Sequence, residues 1–98
     1  MSYKIKFTPA SKKDYEKLDN SQKIQVRKSL QRIEKFGLDT GQLLKGKLAD
    51  CKKMKHKKLG LRVIFKQSDL GIEIIEIVVI GKRDEKEVYK EAEKRLGR

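Results

Sequence analysis

The residues of this chain that could do chemistry are mostly cations. Between Lys45 and Lys66 stand Lys45, Lys47, Lys52, Lys53, Lys55, Lys57, Lys58, Arg62 and Lys66, against the anion Asp50, a net +8 in 22 residues. Ammonium and guanidinium groups at this density attract polyanions and speed association with them. A lysine run is ordinarily a solvated surface. Here it falls on what reads as a strand pair, where like charges facing one another destabilise, so binding accounts for it better than folding does. Other chemistries find few residues. Cys51 and His56 are two potential ligands, too few for a zinc site with its three or four protein ligands. Gly37, Gly41 and Gly46 have neither the spacing nor the following Lys-Ser/Thr of a phosphate loop. Glu73 and Glu76 fall on opposite faces of one strand, and no carboxylate is evident on the basic surface.

Those cations need elements to aim them. Tyr3-Lys4-Ile5-Lys6-Phe7 alternates apolar and cationic, the pattern of a half-buried strand. Thr8 as N-cap and Pro9 at the first helical position start a helix to about Leu18, with Tyr15 and Leu18 inward. Asp19 with Gln22 three residues on fits a capping box opening a second helix. That helix follows Val26, Leu30 and Ile33, with Ile24 beside them, and ends at Gly37. Residues 38–48 read as a Gly-containing connector. Three strands follow at about 51–57, 61–67 and 72–80, with turns at Gly60 and at Ser68-Asp69-Leu70-Gly71. The last is apolar at nearly every position and is expected to be central and covered on both faces. A final helix over about 84–96 has Asp84 as N-cap and Val88, Ala92 and Leu96 at spacing four. The fold class is therefore α+β, in the order β-α-α-β-β-β-α. The sheet is expected to be single and largely antiparallel, a C-terminal three-strand meander packed by two N-terminal helices and a C-terminal one.

Parity gives the basic strand pair its geometry. Burying the apolar set places Met54 and His56 on one face with Leu61, Val63 and Phe65, because a one-residue slip would turn every side chain over. Lys53, Lys55 and Arg62 then share the other face, and a tight turn at Lys58-Leu59 sets Lys55 opposite Arg62. His56 becomes a core-facing histidine.

Length and composition bound the rest. Ninety-eight residues suit one domain, 1–98. Nine Ile, ten Leu and five Val must build the core, with three Phe, three Tyr and no Trp. Charged residues are 41% of the chain, against about a quarter in average domains. The formal net charge of +12 is unevenly spread: residues 1–35 and 36–70 each carry +6, and residues 71–98 carry zero. Cys51 is the only cysteine, which excludes a disulfide scaffold. The N-terminus alternates where a signal sequence would have an apolar core. The longest apolar run, Ile77 to Ile80, is far short of the ~20 residues a membrane span needs. A cytoplasmic protein with no membrane partner is expected.

Asp50-Cys51-Lys52-Lys53-Met54-Lys55, Gly60-Leu61-Arg62-Val63-Ile64-Phe65 and Gly81-Lys82-Arg83-Asp84-Glu85-Lys86-Glu87-Val88-Tyr89, in this order of elements, resemble the RelE/ParE toxin superfamily, and more narrowly its RelE branch. The similarity spans the chain and is strongest over 45–95. It implies a toxin of a type II toxin–antitoxin module that enters the ribosomal A site and cuts mRNA, with no cofactor. The implied partners are a cognate antitoxin, the ribosome and mRNA, with room for operator DNA bound by the toxin–antitoxin complex through the antitoxin. Lys53 and Lys55 match the alternate lysines of the family's basic strand, Arg62 the arginine of the next strand, Arg83 that of the Gly-Lys-Arg motif, and Tyr89 the tyrosine of Glu-Val-Tyr. The alternative readings are a gyrase-inhibiting ParE-like toxin and a basic RNA-binding module without catalysis; the presence of all five residues favours the nuclease.

To cut RNA by internal transfer, a base must take the 2′-OH proton, an acid must serve the leaving 5′-oxygen, and cations must hold the extra phosphate charge. A lysine acts as base when neighbouring cations depress its pKa from about 10.4. Lys55, flanked by Lys53, Lys57 and Arg62, is the expected base. Arg62 and Lys53 clamp the phosphorane, and Arg83 supports the leaving group, as acid or by charge alone, the acid role being the weaker assignment because an arginine barely deprotonates. Tyr89 stacks on or orients a base. Lys45, Lys47, Lys52, Lys57, Lys58, Lys66 and Lys82 are expected to bind RNA. The bland alternatives are plain phosphate binding by Lys53 and Lys55, pairing of Arg62 with Glu73 or Glu76 across the sheet, and helix packing by Tyr89.

Overall fold

The structure, a computed structural model, describes residues 3–56, 58, 60–82 and 84–98. Strand β1, Lys4–Phe7, keeps the expected alternation, with both lysines exposed and Ile5 and Phe7 turned toward the core. Helix α1, Pro9–Glu16, starts as the sequence implies: the Thr8 hydroxyl accepts from the Ser11 N–H, and the Ser11 hydroxyl accepts from the Thr8 N–H. Asp19 and Gln22 close the same reciprocal pair at the start of helix α2, Asn20–Phe36. Each box satisfies two amide donors that a helix start otherwise leaves open. Gly37 ends α2 at φ 60°, directly beneath the Tyr3 ring, where a Cβ would stand 2.4 Å from ring carbons. Only glycine meets both demands. Ile24 is exposed. It sits two residues from both Gln22 and Val26, about 200° around the helix from each, away from the buried row of Gln22, Val26, Ser29 and Ile33.

The 38–48 connector is more structured than expected. It contains two short 3-10 turns, Gly37–Asp39 and Gly46–Leu48, and a two-residue strand β2, Gln42–Leu43. Strand β2 pairs antiparallel with β3, Cys51–His56. Strands β4, Leu61–Gln67, and β5, Ile74–Gly81, complete the sheet, in the order β1-β5-β4-β3-β2. The β2–β5 ladders are antiparallel, but β1 runs parallel to β5, so the sheet is mixed. Residue parity carries no information on strand direction. The chain leaves β1 through both helices and pairs with it again only at β5, after β2, β3 and β4, a connection ample for a parallel pair.

Strand β5 begins at Ile74, two residues later than expected, because Ile72 and Glu73 belong to a turn and Ile72 is exposed. Its apolar run serves two cores. Phe65 pairs with Ile77 and Ile64 with Val79, which leaves Val78 as the extra residue of a bulge. The bulge switches the alternation. Ile75, Ile77 and Ile80 pack with Leu18, Val26, Ile33, Leu61, Val63 and Phe65 on the α1–α2 side. Val78 and Val79 pack with Leu44, Leu48, Cys51 and Ile64 against Val88 and Ala92 of helix α3, Glu85–Arg95. Helices thus cover both faces of β5, as the sequence implies. Among the described residues, no helix is long and apolar enough to cross a membrane.

Candidate active site

The expected register holds in the basic strand pair. Lys55 stands opposite Arg62, Met54 opposite Val63 and His56 opposite Leu61. Met54 packs against the α1–α2 core, and the His56 ring is hydrogen-bonded to the Ser29 hydroxyl of α2, with burial lowering its pKa. Lys53, Lys55 and Arg62 therefore project from the α3 side of the sheet. The Gly41 backbone holds β3 close: a Cβ there, at φ 78°, would lie 2.5 Å from the Lys53 carbonyl oxygen.

Helix α3 begins beside these cations. Asp84 caps it, accepting from the Glu87 N–H at 3.0 Å. Glu85 and Tyr89, four residues apart and on one helical face, lean over the strand pair. Lys53 Nζ donates to the Tyr89 hydroxyl at 2.8 Å and to Glu85 Oε1 at 2.9 Å. Lys55 Nζ is 3.5 Å and Arg62 Nε 3.7 Å from the same Oε1. Arg62 also donates to the Gly60 carbonyl at 3.4 Å. The Tyr89 ring centroid is 5.6 Å from Lys53 Nζ. With the hydroxyl only 2.8 Å away, the ammonium lies outward beyond the phenol oxygen and not above the ring face, so it does not take the position of a stacked base.

Glu85 corrects the expectation of a basic surface without a carboxylate. A signal for it was present in the sequence, since helical spacing from Tyr89 puts it on that face. Its charge also changes the electrostatics expected from cations alone. The Tyr89 hydroxyl and the Glu85 carboxylate hold the Lys53 ammonium above its ordinary pKa, and Lys53 in turn lowers that of Glu85. Lys53 is thereby suited to be a fixed positive charge.

The remaining expected residues are spread more widely. Lys45, Lys47, Lys58 and Lys82 are exposed. Lys52 lies on the opposite face from the cluster by parity and donates to the Leu38 carbonyl. Lys66 is buried, donating to the Gln67 carbonyl at 2.9 Å at the far end of β4. Glu76 pairs across the sheet with Lys66 and Lys6, away from Arg62. Lys57 and Arg83 lie outside the described residues. Among the described residues, no group of three or more His, Cys, Asp or Glu is placed to hold a metal ion.

Fold and site together define a small α+β protein with a cationic cluster between a strand pair and the start of a helix. No family model matches the chain. A putative RelE-like toxin protein of Escherichia coli is 31% identical over 96 residues, covering 98% of this chain and 99% of that one. The mRNA interferase toxin RelE of E. coli K12 is 29% identical over the same coverage. An arginine-to-alanine double mutant of E. coli RelE, in the free state, matches with a TM-score of 0.80 at 28% identity over 98% of this chain and 99% of that one. With an antitoxin RelBc peptide bound it matches with a TM-score of 0.71 at 26% identity, over 94% and 95%. This chain belongs to the RelE-like toxin family.

Proposed function

We propose that this protein is the toxin of a type II toxin–antitoxin pair, a metal-independent endoribonuclease that cuts mRNA in the ribosomal A site and so stops translation. Residues 1–98 act as one toxin domain. The observation that carries the reading is the convergence of Lys53, Lys55, Arg62 and Tyr89 within one cluster.

The 2′-oxygen attacks the adjacent phosphorus, the P–O5′ bond breaks, and a 2′,3′-cyclic phosphate and a 5′-hydroxyl result. Lys55, the more exposed lysine of the cluster, takes the 2′-OH proton. Lys53 stays an ammonium and, with the Arg62 guanidinium, holds the charge that builds on the phosphoryl oxygens. Arg83 supports the leaving 5′-oxygen by charge while that oxygen takes a proton from water, and the Tyr89 ring stacks on a base. Lys45, Lys47, Lys57, Lys58 and Lys82 meet flanking phosphates. Lys52 and Lys66, whose ammonium groups are engaged elsewhere, are the weakest members of that set. A cognate antitoxin neutralises the toxin by presenting carboxylates to the 45–66 surface, and the pair binds operator DNA through the antitoxin. The protein works in the cytoplasm.

Primer extension on ribosome-bound mRNA incubated with the purified protein tests the reading. Cuts within the A-site codon that persist in EDTA, with the ribosome kept assembled, are expected. Intact mRNA alongside broken DNA in arrested cells would overturn it in favour of a gyrase poison.

A further inference from the structure

The reaction above uses the cations of the site and leaves its carboxylate without a role. A single oxygen, Glu85 Oε1, meets Lys53 Nζ, Lys55 Nζ and Arg62 Nε at 2.9, 3.5 and 3.7 Å. A non-bridging phosphate oxygen held by Lys53 and Arg62, with Lys55 beside it, would occupy the same place. Two anions cannot share it. Glu85 is the first residue of α3 and its side chain is 36% exposed, so rotation about its own bonds carries the carboxylate into solvent while the helix stays docked.

We propose that Glu85 is an internal stand-in for the scissile phosphate: it fills the anion site of Lys53, Lys55 and Arg62 while no nucleic acid is bound, and an incoming phosphodiester expels it. The inference rests on the phosphodiester-cleaving reading of the site and adds to it a competitor carried in the chain. It also explains how the strand pair tolerates Lys55 directly across from Arg62, an arrangement that like charge alone opposes. In the free protein the carboxylate compensates that repulsion, and in the complex the phosphate does. A tethered competitor is always at high local concentration. A lone phosphate therefore competes poorly, whereas a nucleic acid that also engages Lys58 and Lys82 does not. The stand-in selects for a polyanion.

Calorimetric titration with inorganic phosphate, and thermal melts with and without it, test this on the wild type, Glu85→Gln and Glu73→Gln. The last makes the same charge change at an exposed position just before the other end of β5. Loss of three partly exposed ion pairs should let Glu85→Gln bind phosphate about tenfold more tightly than wild type. The same variant should melt lower in phosphate-free buffer and recover more than wild type when phosphate is added, while Glu73→Gln keeps the wild-type affinity. Glu85→Asp, which retains the charge on a shorter arm, should fall between. Equal or weaker binding by Glu85→Gln, an equal gain in Glu73→Gln, or no phosphate response in any of the proteins would overturn the proposal. The probe needs neither ribosome nor mRNA. A wild type that leaves mRNA intact but shows the tenfold difference would refute the nuclease alone, and one that cleaves without the difference would refute the stand-in alone.

Discussion

At the scale of single residues, Lys55 and Arg62 were legible because burial of Leu61, Val63 and Phe65 leaves only one parity for their neighbours, and the structure places them opposite one another. Glu85 was missed despite its helical spacing from Tyr89, because a search for catalysts in a basic patch looks along the strands, while this carboxylate arrives from a helix 30 residues on from Lys55. Its presence sharpens the division of labour between the lysines. In the proposed reaction Lys53, held charged by Tyr89 and Glu85, serves as the clamp and Lys55 as the base. Lys55→Ala should lower single-turnover cleavage by about 10²–10⁴-fold while ribosome binding weakens by only about one phosphate contact. Lys55→Arg should fail almost as badly, since a guanidinium keeps the charge but does not accept a proton near neutrality. Cleavage by Lys55→Arg within a few-fold of wild type, measured at saturating enzyme, would reduce Lys55 to a charge and send the search for the base elsewhere.

At the scale of elements, the capping boxes, the meander and the C-terminal helix follow from local chemistry, which is why they could be read from the sequence. The parallel β1–β5 pairing, the short β2 and the Val78 bulge depend on contacts far apart in the chain and left no local trace. Nor did the clamp that holds α3 in place. Arg95 donates to Asp14 Oδ2 at 2.6 Å, to Asp14 Oδ1 at 3.1 Å and to the Val78 carbonyl at 2.9 Å. Asp14 Oδ2 also accepts from the Ile80 N–H at 3.1 Å, beyond the last residue of β1 that pairs with β5. One carboxylate of α1 thus ties together α3 and the end of β5, and Asp14 raises the pKa of Arg95 further. A second tie, from Arg98 to Asp50, fastens the end of the chain to the turn before β3. Asp14→Ala should destabilise the protein by about 1–3 kcal/mol, the cost of leaving such donors without their acceptor. Denaturant unfolding reads the loss, and hydrogen exchange should show it first in α3. A variant with wild-type stability would mean that apolar packing alone seats the helix.

At the scale of the whole molecule, charge was the most legible property. The net +12 sits in the first 70 residues, and the last 28 are neutral because α3 and its flanks carry as many acids as bases. The folded chain brings one of those acids, Glu85, into the basic cluster. Counterion release still dominates binding to a long nucleic acid, with a log–log salt slope of roughly −0.7 per phosphate contacted on single strands. A steep loss of RNA affinity between low and physiological salt is therefore expected in filter-binding measurements, and a flat response would remove the electrostatic account of the 45–66 surface. The sole cysteine offers a different view of the molecule. Cys51 is fully buried in the cluster beneath α3, and its thiol is pushed up to about 11 by burial and the neighbouring Asp50. Only the thiolate reacts with disulfide reagents, so Cys51 is silent while the helix is seated. Its rate of modification becomes a stopwatch for helix lifting: slow in the native protein, faster in Asp14→Ala, and equal to a denatured control only if the helix were no cover at all. An intrinsic cysteine thus times the opening of the element that carries Tyr89 and Glu85, with no engineered probe near the site.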